Sequence, residues 1–281
     1  MDWLVQHKIP MGEWIKRLVD LLNEHAAGLF DLISWTVGGF IEGLIGFLLA
    51  WPPLLLVAAV AALGWALQRS WQIVVLIAVA FLVIINLGYW KETIETLALV
   101  VTATTVSMLV GVPLGVAAAH RPWLHHALRP LLDLMQTVPT FVYLIPTLIL
   151  FGLGVVPGLI STVIFALPAP IRLTHLGISA VPRPLLEAGE AFGASRRQLL
   201  WKVELPSAMP AIMTGLTQCI MLSLSMVVIA ALVGADGLGK PVVRALNTVN
   251  VARGFEAGLA IVLLAIVLDR ICRRPEPRPR S

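Results

Sequence analysis

Six stretches of this chain contain no Asp, Glu, Lys or Arg, and they constrain its fold more than any motif does. They are Gly43–Gln68, Ser70–Trp90, Thr96–His120, Leu134–Ile171, Leu205–Ala235 and Ala257–Leu268. A helix needs about 20 apolar residues to cross a bilayer. Four of the stretches fit one crossing each. Leu134–Ile171 has 38 residues, enough for two, with Gly152, Gly154, Pro157 and Gly158 supplying the turn. The 12-residue Ala257–Leu268 extends to about Ala252–Cys272 if Glu256 and Asp269 sit at the interfaces. The expectation is an all-α membrane protein with about seven transmembrane helices.

Composition closes off the alternatives. Only 13% of the 281 residues are charged and mean hydropathy is +0.90, whereas a soluble domain carries roughly 25% charged residues. Two cysteines, Cys219 in an apolar run and Cys272 in a basic tail, are too few for a disulfide framework. The net charge of +4 is read through its placement and not as a nucleic-acid signal. With the loop Arg172–Glu204 placed inside, thirteen Lys and Arg fall on that side and seven on the other. The positive-inside rule then puts the N-terminus outside and the C-terminus inside.

The N-terminus opens with Asp2 and lacks the basic start of a signal peptide. Ile15, Leu18, Val19 and Leu22 share one helical face while Lys16, Arg17, Asp20 and Asn23 take the other. This is an amphipathic helix, lying on the membrane surface or packed on the protein itself. A second amphipathic stretch, Phe30–Phe47, lies flat or forms an eighth crossing. The organisation expected is an interfacial segment 1–42, two accessory helices in 43–90, a core over 91–272 and a basic tail 273–281.

The most informative loop follows the fifth crossing. Pro182 and Pro184 open a short helix, Gly193 ends it, and Ser195 with Gln198 makes a capping box for a second. Leu205-Pro206 leads into the next crossing. The product is a helix–turn–helix displaying carboxylates and arginines, built to dock a partner.

These residues resemble the EAA motif of bacterial ABC-importer permeases: Glu-Ala-Ala, glycine four residues later, then a hydrophobic residue, any residue and Leu-Pro. Glu187, Ala188, Gly193, Val203, Leu205 and Pro206 fall on the pattern. Gly189 replaces the second alanine, a small-for-small change that should be tolerated at the expense of a looser helix. Asp133–Leu144, Phe165–Pro168, Ile171–Thr174 and Leu224–Ala230 are similar to the glycine betaine/proline branch, and the likeness covers roughly 91–270. The short N-terminus and Gly234–Val251 are more similar to choline-importing members.

The resemblance implies a five-helix permease core over 91–272 that includes the coupling loop 182–206, and an inner-membrane subunit that works as a homodimer. Two ATPase subunits would hold the ATP and Mg²⁺ below, so this chain would carry no cofactor and no catalytic residues. A soluble binding protein would deliver a quaternary ammonium solute (choline, glycine betaine or a relative) in an osmoprotective role. Glu187 would meet a basic residue of the ATPase, and Gly193 would allow close approach. An ABC permease for another solute, such as an amino acid, would share the fold. A secondary transporter would show inverted repeats or midplane charges, and neither is evident.

Candidate path residues come from spacing. Gln218, Met221, Leu222 and Ser225 share a face of the sixth crossing, where polar groups line a wet path or bond a neighbouring helix. Tyr143 is a further candidate. Two other patterns carry less. Gly234–Lys240 has the spacing of a phosphate-binding loop, but Pro241 stands where that loop needs Ser or Thr; a tight external loop near the substrate entrance fits better. His120, His125 and His126 are expected to be solvated interface residues, not metal ligands. Gly111–Gly115 and Gly154–Gly158 have GxxxG spacing, with Pro113 and Pro157 inside.

Overall fold

The computed structural model describes residues 11–273, and among these it contains only helices and turns. Backbone amides in a bilayer have no water to bond, so a chain this apolar closes its hydrogen bonds within helices. The helices are α1 (Met11–Leu49), α2 (Pro53–Gln68), α3 (Trp71–Asn86), α4 (Trp90–His120), α5 (Pro122–Thr137) and α6 (Leu144–Phe151). They continue with α7 (Val155–Ala166), α8 (Pro168–Ser179), α9 (Arg183–Ala191), α10 (Arg196–Leu199), α11 (Leu205–Ala230), α12 (Gly239–Asn247) and α13 (Val251–Cys272).

The seven expected crossings map onto α2, α3, α4, the bent pair α5–α6, the rod α7–α8, α11 and α13. Counting that bent pair, and with α1 in addition, six of these units are long and apolar enough to span, and α2 and α3 are shorter apolar helices. The N-terminal helices break at other places than the charge-free stretches do. α1 runs without a break from Met11 to Leu49, through the expected division between 42 and 43. Charges at Asp31 and Glu42 do not stop a helix, since intrahelical hydrogen bonding continues through both residues. The break falls instead inside the charge-free stretch Gly43–Gln68, at Ala50–Pro52, because Pro52 and Pro53 offer no amide to continue the ladder. The expected tail lies outside the described residues beyond Arg273.

α4, α8 and α11 pack most extensively and form the centre. Their closeness is written in small residues. A Cβ on Gly111 would stand 2.7 Å from Pro170 Cγ, and one on Gly115 would stand 2.6 Å from Thr174 Cβ and 2.7 Å from the Ile171 carbonyl oxygen. Pro113 sits inside α4 without ending it. Gly177 faces Ala208 and Ala211 in the same way. Gly158 packs on Ala230 and Ala235, whereas Gly154, at φ 134°, serves the turn before α7. Without a hydrophobic driving force between helices in lipid, such close backbone approach is what holds them together.

Two cross-links fix the ends. The Gln68 side-chain amide donates to the carbonyls of Ile271, at 2.9 Å, and Arg273, joining the α2–α3 hairpin to the end of α13. His120 at the end of α4 meets Glu204 before α11 at 2.8 Å. Tyr89, Glu92, Glu95, Asp236, Lys240, Arg244 and Arg253 gather at the opposite end. The two ends of α4 and α13 therefore mark two opposite faces of the helices.

Candidate functional site

The loop 182–206 folds as its residue types dictate. α9 starts after Pro182 with Pro184 in its first turn, where proline's missing amide costs nothing. It ends in a Schellman motif. Gly193 lies at φ 77°, its amide donates to the Glu190 carbonyl at 2.8 Å, and the Ala194 amide donates to the Gly189 carbonyl at 3.0 Å. The Ser195 hydroxyl accepts from the Gln198 amide and the Gln198 side chain accepts from the Ser195 amide, a complete capping box.

Gly189 has a packing reason. A Cβ there would fall 2.5 Å from Leu199 Cδ2, so the missing methyl makes room for the buried Leu199 to seat α10 against α9. The expected loosening is offset by this contact. A π-helical turn, Leu200–Glu204, then joins α10 to α11, with the Leu205 amide donating back to the Leu200 carbonyl. Such one-turn bulges recur at functional sites. This one directs Glu204 to His120, so the loop is tied laterally to α4 as well as directly to α11. The contact is an ion pair only while the imidazole is protonated.

The site residues separate into two groups. Glu187, Ala188 and Gly193 are exposed on the outer surface of the loop. Half-buried Leu205 packs on the cluster of Ile178, Ala208 and Ile212 and roots the loop in the helical core, and exposed Pro206 opens α11. Three residues that the motif does not single out join the first group: Leu185, Phe192 and Trp201 are 48%, 94% and 64% exposed. Large apolar side chains left uncovered on a polar loop mark a docking surface. Their signal in the sequence was the presence of Phe and Trp between charged residues.

Along α11 the exposed positions are not scattered. Ser207, Pro210, Thr214, Gln218 and Ser225 are exposed and Met221 partly so. At about 3.6 residues per turn they fall on one stripe of the helix. The opposite face, including Cys219, Ser223 and Met226, is buried against the rest of the chain. A polar stripe that leaves the protomer on an otherwise apolar helix faces water or another protein, not lipid. Ser225 donates to the Met221 carbonyl within its own helix at 3.0 Å, so it bonds no neighbouring helix among the described residues.

Tyr143 stands apart from that stripe. Its hydroxyl donates to the Met135 carbonyl at 2.6 Å, and its own carbonyl accepts from Thr147. It braces the 108° bend between Pro122–Thr137 and Thr140–Phe151. The histidines are also engaged: His120 with Glu204, and His125 stacked on His175 with ring centroids 4.0 Å apart.

The family described as binding-protein-dependent transport system inner membrane component matches residues 111–281. That stretch contains the loop, the π-helical turn and α11. The chain belongs to this family. It is a multi-pass transport subunit of the inner membrane.

Relatives align along almost the whole permease. The glycine betaine transport system permease protein OpuAB of Bacillus subtilis (strain 168) is 45% identical, covering 98% of this chain and 97% of that protein. The glycine betaine/carnitine transport permease protein GbuB of Listeria monocytogenes is 41% identical, covering 97% and 98%. The glycine betaine/proline betaine transport system permease protein ProW of Escherichia coli (strain K12) is 42% identical, covering 94% and 74%. In three dimensions the permease is similar to a chain of the inward-facing MetNI methionine ABC transporter. The TM-score is 0.57 at 25% identity, over 64% of this chain and 92% of that one.

Proposed function

We propose that this permease is the membrane-spanning subunit of an ATP-driven importer for quaternary ammonium solutes, with glycine betaine as the leading member. The observation that carries the substrate class is near full-length likeness, at 41–45% identity, to permeases named for glycine betaine. Choline as the specific substrate has less support, since the choline-named relative covers only 58% of this chain at 32% identity. An amino-acid substrate rests on the MetNI likeness, which is weaker.

Two copies pair through the polar α11 stripe, and the Gln218–Met221–Ser225 segment faces the path between them. A separate ATPase, holding ATP and Mg²⁺, docks on the loop surface made by Glu187, Ala188, Gly193, Phe192 and Trp201. Closure of the ATPase pulls α9–α10. The motion reaches α11 through the continuous π-helical turn and α4 through Glu204 and His120. The close contacts of Gly111 and Gly215 with Pro170, and of Gly115 with Ile171 and Thr174, then make α4, α8 and α11 turn as one body. Solute arrives from a soluble binding protein at the opposite face, so the loop 182–206 faces the cytoplasm.

The test uses the permease purified with its native ATPase and binding protein in lipid nanodiscs. ATP hydrolysis should be stimulated by binding protein loaded with glycine betaine and not by binding protein offered methionine. Equal stimulation by methionine would move the chain to the amino-acid reading.

A further inference from the structure

The glycine-rich segment Gly234–Lys240, whose spacing imitates a phosphate loop, builds something else. Gly237 lies at φ 125° directly over α4, where a Cβ would stand 2.6 Å from Thr96 Oγ1. The Leu238 amide donates to that same hydroxyl at 2.8 Å. The turn is therefore stapled to α4 at the residue after Glu95. Asp236 and Lys240, paired with each other, are thereby set across from Glu95. Between α4, the turn, α12 and the start of α13 lies a cavity of about 360 Å³.

Its lining carries the carboxylates of Glu92, Glu95 and Asp236 together with Lys91, Lys240, Arg244 and Arg253. Glu95 is 8% exposed, and its carboxylate opens into the cavity with no hydrogen-bond donor among the described residues. Its one ion-pair partner, Lys91, stays at 3.7 Å on a side chain that is 71% exposed. The ring of Tyr89 and the carboxylate of Glu92 lie on the same wall. Arg244 and Arg253 line the cavity from α12 and α13 with no carboxylate in ion-pair range among the described residues. A buried carboxylate without donors is costly unless a cation reaches it.

The geometry points to this cavity as a reception site for a quaternary ammonium solute, with the methylated nitrogen at Glu95 and Tyr89 and any carboxylate toward Arg244 and Arg253. A quaternary nitrogen has no N–H to donate. Its complement is a carboxylate not already committed to donors, together with an aromatic ring, and Glu95 with Tyr89 supplies both. The free guanidinium groups opposite suit the carboxylate of a zwitterion such as a betaine. The site lies at the face opposite the coupling loop, where solute leaves its binding protein, and its openness suits brief occupancy. The inference rests on the substrate class proposed above and adds the residues that receive it.

The test is saturation-transfer NMR on the trimethylammonium protons of glycine betaine and of choline. The sample is the purified permease–ATPase complex without binding protein. 3,3-Dimethylbutan-1-ol, the uncharged isostere of choline, is the control. Both ammonium solutes should bind saturably and compete with each other, and the neutral isostere should not compete. Glu95→Gln should weaken both by about tenfold or more. Arg244→Gln, on an exposed side chain, should weaken glycine betaine several-fold and leave choline unchanged, and this split decides the matter even if Glu95→Gln fails to assemble. Binding that Glu95→Gln leaves intact, equal competition by the isostere, or equal loss of both solutes in Arg244→Gln would overturn the site. Wild-type complex that hydrolyses ATP in response to betaine-loaded binding protein, yet shows none of this dependence, would remove the reception site and leave the proposed function standing.

Discussion

Gly193 offers a perturbation whose size can be worked out in advance. Nothing lies within 4 Å of a Cβ built there, so within this chain a side chain meets no neighbour. The constraint is the backbone, since φ is 77°. An L-residue in the left-handed region costs about 1–2 kcal/mol, asparagine less, and a β-branched residue is a genuine outlier there. One to two kcal/mol is a factor of about 5–30 in an equilibrium. The alternative to accepting the strain is to open the two hydrogen bonds donated by the Gly193 and Ala194 amides that close α9, which turns the exposed face carrying Glu187. Gly193→Asn, Gly193→Ala and Gly193→Val should therefore lose ATPase co-purification in that order of increasing severity, with membrane insertion unchanged. The readouts are the ratio of ATPase to permease after detergent purification and solute uptake in the same membranes. If Asn is as damaging as Val while Ala is harmless, size against the partner is the constraint, and the backbone argument is wrong.

Other perturbations separate the remaining roles. Gly115→Leu must push α4 from α8, because its first carbon already collides with Thr174 and the Ile171 carbonyl; thermal denaturation should show a loss of about 1–3 kcal/mol or more, or no folded protein. Tyr143→Phe removes the donor to the Met135 carbonyl and should cost about 1 kcal/mol, lowering the melting temperature without changing the ranking of transported solutes; an altered ranking would restore Tyr143 to the path. Ser225→Trp fills the exposed α11 stripe and should abolish uptake while the ATPase still co-purifies; normal uptake would place the path elsewhere.

The coupling loop was legible almost residue by residue, because caps are local chemistry. Pro182, Gly193 and the Ser195–Gln198 pair each state where a helix starts or stops without reference to distant residues. The crossings were legible as charge-free lengths, but their breaks were not. Hydropathy cannot distinguish Pro52–Pro53, which divides two helices, from Pro113, which α4 absorbs. That outcome depends on whether neighbouring helices hold the chain in line. The brace that Tyr143 makes was hidden for a similar reason, since its spacing says nothing about a carbonyl eight residues back becoming reachable through a bend. Gly189 counted as a blemish in the motif until Leu199 was seen to occupy its missing methyl. The cavity at Glu95 was invisible because it joins residues some 140 positions apart through one hydroxyl, Thr96.

The most direct test of the whole account is ATP-dependent accumulation of labelled glycine betaine in proteoliposomes. These would contain the permease and its native ATPase, with binding protein supplied on the side opposite the coupling loop. Accumulation should rise above the external concentration, require ATP and binding protein together, be competed by quaternary ammonium solutes and not by methionine, and disappear in Gly193→Val. Accumulation that proceeds without ATP, or that methionine competes as well as betaine does, would contradict it.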